Sequence, residues 1–125
     1  MPAMPAFKLN LAIDQGATFL KTVTWSTGPK RSPVPVDLTG CSARMQVREK
    51  LTSTETLLEL TTGNGGITLG ETDGKITLRI EADETAAFTW NTGVYDLEIS
   101  FPTSPEPTVR RLLSGTVSVS PEVTR

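Results

Sequence analysis

The side chains able to do chemistry in this 125-residue sequence are its 14 Asp and Glu carboxylates, one thiol at Cys41 and a glycine cluster at Gly63-Asn64-Gly65-Gly66, with histidine absent. Asp96 and Glu98 stand two residues apart, and Asp83 and Glu84 are adjacent. Paired acids hydrolyse glycosides without histidine only where one sits in an apolar pocket that raises its pKa. No sequence feature brings any of these four into such a pocket. The lack of histidine removes Ser-His-Asp and Cys-His nucleophiles together with His-ligated zinc and iron. Asp73-Gly74 lacks the spaced Asp/Asn ladder of a calcium loop. A lone Cys41 closes no intrachain bridge and reads as a small apolar filler rather than a reactive thiol. The glycine cluster is followed by Ile67-Thr68-Leu69, not by the Lys-Ser or Lys-Thr that opens a helix in a phosphate-binding loop. The expectation is a protein that is not an enzyme, with no catalytic, cofactor-binding or metal-ligating residue and no small-molecule substrate.

Binding chemistry has more to work with. Trp25, Trp90, Tyr95 and the four phenylalanines would suit a sugar-binding platform if exposed, although few aromatics in a strand-rich chain are normally core. Arg44 and Arg48 would suit an acidic partner, but their alternation with Ala43, Met45 and Val47 also describes the solvated face of an antiparallel sheet, the reading adopted here. With 12 basic against 14 acidic residues and no dense cationic stripe, no nucleic-acid partner is expected. Met1-Pro2-Ala3-Met4-Pro5-Ala6 lacks the basic start and apolar run of a secretory signal, and no window approaches the roughly twenty apolar residues of a membrane span. The expectation is synthesis in a cytoplasm and no membrane partner. A 37% hydrophobic, 21% charged chain of this length suits one domain with a proper core.

Most of the chain carries the period-two alternation of half-buried strands. Pro2 and Pro5 make residues 1–6 an extended arm. Phe7, Leu9, Leu11 and Ile13 alternate with polar or small residues, Asp14-Gln15-Gly16 turns, and Phe19, Val23 and Trp25 resume, predicting a first hairpin. Ser26 to Pro35 holds three prolines and is a loop or an edge. Cys41 to Val47, Thr54 to Thr62, Ile76 to Ile80, Tyr95 to Phe101 and Val109 to Val119 are further strands, with a turn at Asp37-Leu38-Thr39-Gly40 and a second proline-rich loop from Pro102 to Pro107. Glu81 to Phe88 is the one helical turn, with Asp83 as its cap. Seven to eight short strands at this spacing predict an all-β protein, an antiparallel β-sandwich over residues 7–120, with an arm at 1–6 and a tail at 121–125.

Asp83-Glu84-Thr85-Ala86-Ala87-Phe88 followed by Gly93-Val94-Tyr95-Asp96-Leu97 resembles the stretch of immunoglobulin-like domains in which a helical turn precedes the tyrosine-corner strand. Tyr95 takes the tyrosine's place and Leu97 that of the second cysteine. The resemblance implies an immunoglobulin-like sandwich without its disulfide, with the Tyr hydroxyl bonded to an upstream backbone group, and it implies no immune function. The chain also resembles small β-domain proteins encoded among the virion structural genes of tailed bacteriophages. The residues that carry this are Asp14-Gln15-Gly16-Ala17-Thr18-Phe19, Val36 to Arg48, Gly93 to Glu98, Leu113 to Val117 and Val123-Thr124-Arg125. The first of these phrases and Asp37-Leu38-Thr39-Gly40 are similar to the N-terminal domains of baseplate proteins that hold receptor-binding fibres.

That resemblance implies a virion structural protein, in the tail rather than the head, made in the host cytoplasm. Its expected partners are tail, baseplate or fibre subunits, with several copies per particle multiplying weak contacts. The candidate contacts are Met1, Pro2, Met4 and Pro5 in the arm, Pro29, Lys30, Arg31 and Pro33 in the first proline-rich loop, Pro105 and Glu106 in the second, and Pro121, Val123 and Arg125 in the tail. A capsid decoration protein would use the same fold. A carbohydrate-binding module would instead expose Trp25, Trp90 or Tyr95.

Overall fold

The computed structural model describes residues 7–124. Met1, Pro2, Met4, Pro5 and Arg125 among the candidate contacts lie outside this range. In chain order the elements are β1 (Phe7–Lys8), β2 (Leu11–Asp14), β3 (Phe19–Thr24), β4 (Ser26–Thr27), β5 (Val34–Pro35), β6 (Ser42–Arg48), β7 (Leu58–Thr61), β8 (Ile67–Leu69), β9 (Lys75–Ile80), α1 (Ala82–Ala86), β10 (Thr92–Phe101) and β11 (Thr108–Ser120).

Two sheets face each other, as the period-two patterning requires. One runs β7-β6-β10-β11, with β1 and β2 both on the outer side of β11; the other runs β3-β9-β8. The protein is an all-β sandwich with one short helix, and eight strands build it when β1 and β2 are taken as one interrupted edge strand. The core comes from alternate positions of both sheets: Ala43, Met45, Val47, Tyr95, Leu97, Ile99, Val117 and Val119 from one, Ile67, Ile76, Leu78 and Ile80 from the other. The loop-derived Leu38, only 1% exposed, fills the space beneath its turn, which no strand pattern announces.

Four local expectations are corrected. The predicted first hairpin does not form, because β2 pairs in parallel with β11 and β3 pairs with β9 across the sandwich. The five residues from Asp14 to Thr18, turning at Gly16 with φ +85°, cross the roughly 10 Å between the sheets instead of folding back. The parallel β1 and β2 are also exceptions to an otherwise antiparallel fold. Asp83 lies inside α1; the N-cap is Glu81, with no side-chain capping bond. The strand expected from Thr54 starts at Leu58, because the Arg48 guanidinium donates to the Ser53 and Thr54 carbonyls and holds that segment in a turn.

Two further features depend on pairing. β11 slips by one residue against β10 between Leu113 and Arg111, so Leu112 and Leu113 are both buried where alternation would expose one. Leu9 and Asn10 break the N-terminal edge strand and pass over Gly115, where a Cβ would strike the Leu9 carbonyl. The Tyr95 hydroxyl donates to that carbonyl at 2.6 Å. The expected tyrosine bond to an upstream backbone group is thus present, at the break between β1 and β2.

Candidate partner-contact surface

The first proline-rich loop is a two-stranded ribbon in which Ser26 pairs with Pro35 and Thr27 with Val34. Its tip is closed by the Ser32 N–H donating to the Pro29 carbonyl, and Pro29, Lys30, Arg31 and Pro33 are all exposed. The ribbon is rooted at Trp25: its N–H donates to the Gly74 carbonyl, its carbonyl accepts from Val36 N–H, and its ring meets Phe101 edge-on at 5.9 Å. Phe101 ends β10, so the second proline-rich loop leaves from the same end of the sandwich. There the Thr103 hydroxyl donates to the Glu106 carbonyl at 2.6 Å, which fixes a tight loop with Pro105 and Glu106 exposed on it. Lys30 and Arg31 make no ion pair among the described residues. This end therefore presents two cations and a carboxylate on short, internally bonded loops.

The tail leaves from the other end. β11 spans 13 residues, a separation of roughly 40 Å at about 3.3 Å per residue. Pro121 and Val123 are exposed, Val123 at 90%, but Glu122 between them is held: its N–H donates to the Gln15 side-chain carbonyl, and its carboxylate occupies the space a Cβ at Gly16 would need. Gln15 Nε2 donates to the Ala86 and Phe88 carbonyls. Thr85, fully buried, accepts from Gly16 N–H and lies within bonding distance of the Ala17 and Ala82 carbonyls. These bonds join the tail, the sheet-crossing turn and α1 into one unit. The described candidate contacts thus form two separate groups, Pro29 to Pro33 with Pro105 and Glu106 at one end, Pro121 and Val123 at the other. Gln15, Thr85 and Glu122 carry no signal in sequence, because the groups that tie them across this unit lie 68 to 107 positions apart.

The residues with chemical potential are spread over surfaces already in use. Arg44 pairs with Glu59 at 3.3 Å, Gln46 donates to the same carboxylate at 2.6 Å, and Arg48 donates to Gln46 at 2.8 Å. Asp96 pairs with Arg111 at 3.5 Å. The Gln46 bond, then Arg44, holds the Glu59 carboxyl below its ordinary pKa, and bonds from Thr39 do the same for Asp37. Partial burial, then the Asp37 charge, raises the Cys41 thiol, so thiolate formation is disfavoured. Trp25 and Tyr95 are core, at 7% and 5% exposed, and the half-buried Trp90 stacks on Phe88 at 4.9 Å. Among the described residues no three His, Cys, Asp or Glu side chains gather to hold a metal, and no helix is long and apolar enough to cross a membrane.

No curated protein matches the chain. Residues 5–120 match a family model described as LtfC-like, beta-sandwich domain, and on that match across nearly the whole sequence the chain belongs to this family.

Proposed function

We propose that this chain is a non-enzymatic structural domain of a bacteriophage virion, an adaptor of the tail, baseplate or fibre attachment that works through protein contacts at the two ends of its sandwich. The observation that carries this is the family match over residues 5–120, LtfC being a phage tail fibre-related protein. The sheet order, β8-β9-β3 against β7-β6-β10-β11 with the first strand parallel to the last, supports an immunoglobulin-like arrangement. The ribbon tip and the Pro102 to Pro107 loop share one end, and a rigid loop loses little entropy when a partner covers it.

Asp37, Glu59 and Glu81 are each held below their ordinary pKa by hydrogen-bond partners, which disfavours these three as proton donors at neutral pH. Burial of Trp25 and Tyr95 weighs against a carbohydrate platform. The test is an image reconstruction of the particle with this chain located in it. Density in the tail with the Pro29 to Pro33 ribbon and the Glu106 loop against neighbours is the expected result. Density on the capsid lattice would replace the adaptor with a decoration protein, and absence from the particle would overturn the virion reading.

A further inference from the structure

Among the described residues β3 pairs only with β9, so its other edge is open. Trp25 N–H donates to the Gly74 carbonyl, in register with Thr24 opposite Lys75, so the odd-numbered residues of β3 turn their backbone groups towards β9. Those of Leu20, Thr22 and Thr24 point away from it. A groove of ≈ 380 Å³ runs beside this edge, with Asn10, Leu11, Ala12 and Asp14 of the N-terminal strand among its lining. Further along the seam is an apolar hollow of ≈ 180 Å³ lined by Phe7, Val23, Trp25, Leu112 and Leu113.

The other sheet edges are blunted in the usual ways. β8 has three residues, β5 contains a proline, β7 has four residues beside a charged pair, and the β1/β2 edge is broken at Leu9 and Asn10. β3 has six residues with neither proline nor bulge. Its single guard is Lys21, which sits opposite the buried Leu78 on the inward-facing side yet is exposed, and which makes no ion pair among the described residues.

We propose that the β3 edge accepts one extended strand from a partner protein, antiparallel to β3, with a carboxylate opposite Lys21 and an apolar side chain opposite Val23 or Trp25 seated in the hollow. This rests on the protein-contact reading above and adds to the two ends a third contact surface, on the side of the sandwich. Antiparallel pairing from Trp25 to Leu20 makes the incoming pattern apolar, any, apolar, any, acidic, any. The backbone of the edge supplies affinity, and Lys21 with the hollow supplies selectivity. A second copy of β3 fits less well, because two-fold pairing about Thr22 brings both Lys21 side chains onto one face of the joined sheet, where like charges oppose association.

The test is ¹⁵N NMR titration of the full chain with the capped peptide Val-Thr-Val-Thr-Glu-Thr, repeated with Lys21→Glu and with the peptide carrying Lys in place of Glu. Perturbation of the Leu20, Thr22 and Thr24 amides is expected. Lys21→Glu should weaken the Glu peptide by roughly fivefold and restore binding to the Lys peptide, the scale of one cross-strand charge pair reversed. An unfolding curve for the variant within about 0.5 kcal/mol of the native chain establishes that the fold is intact. Perturbations elsewhere, affinity indifferent to the charge swap, or a concentration-dependent dimer joined through β3 would overturn the proposal. So would slow hydrogen exchange at those three amides before peptide is added, since the edge would then already be paired. Failure here with tail density in the particle removes only the strand site; peptide binding without such density removes the virion reading and leaves the site.

Discussion

Replacing Tyr95 with Phe removes one hydroxyl from the junction of the first strand and β10. In the native chain that hydroxyl donates to the Leu9 carbonyl at 2.6 Å from a side chain that is 5% exposed. An uncharged hydrogen bond is worth about 1 kcal/mol net, and an acceptor left unpaired costs more where water cannot reach it. Leu9 is half-buried, so the expected loss at pH 7 is about 1.5 to 2 kcal/mol, read as an earlier urea midpoint by tryptophan fluorescence. The same hydroxyl predicts an alkaline signature. Burial pushes the Tyr95 pKa up to about 12, against an ordinary value near 10. Below pH 10 the hydroxyl is protonated in both states and contributes no slope. Between pH 10 and 12 the unfolded chain gives up the proton while the folded chain keeps it, so native stability falls as pH rises, by about 2 to 3 kcal/mol in all. Tyr95→Phe has no such proton, and the lysines and Cys41 titrate in both proteins, so the difference between the two should narrow across that window, vanish in its upper half and reverse slightly by its top. Equal stability at pH 7, or a difference that stays constant from pH 10 to 12, would refute this account of the junction.

Thr85→Val keeps the shape but leaves the Gly16 N–H without its acceptor and the Ala17 carbonyl without its donor, and should cost about 2 to 3 kcal/mol with faster amide exchange at Gly16. Leu97→Ala opens a cavity between the sheets at a fully buried position and should cost about 3 to 5 kcal/mol in urea unfolding. Gln46→Ala removes the largest cause of Glu59's lowered pKa, so carboxyl NMR should show that pKa rising towards the ordinary glutamate value; Glu59 stability linkage, present above that value and lost as pH falls, should shrink with it. Lys30→Glu with Arg31→Glu should leave the unfolding midpoint unchanged within about 0.5 kcal/mol while lowering the copy number of the chain in purified particles, since both side chains are exposed and make no ion pair among the described residues.

Much of the architecture is legible in the chain because it is written in short-range patterns. Alternation of apolar residues marks β6, β9, β10 and most of β11, and the side chains it turns inward are the ones buried. Prolines mark the ribbon and the Pro102 to Pro107 loop as edge or loop. The surface candidates are legible for the same reason: Pro29, Lys30, Arg31, Pro33, Pro105 and Glu106 are exposed because nothing in their neighbourhood can pay for their burial.

Period two fixes which face of a strand is buried, but it is silent on which strand lies alongside. That is why the turn at Gly16 reads as a hairpin although it carries the chain from one sheet to the other, and why Leu112 reads as exposed until the slip against β10 buries it. The division of the candidate contacts between two ends, the bond from Tyr95 to Leu9 and the open edge of β3 arise in the same way. Each depends on residues far apart in sequence meeting through backbone groups, which every residue carries and no side-chain pattern encodes, so composition and alternation determined the sandwich while only its pairing decided which loops share an end and which edge stays open.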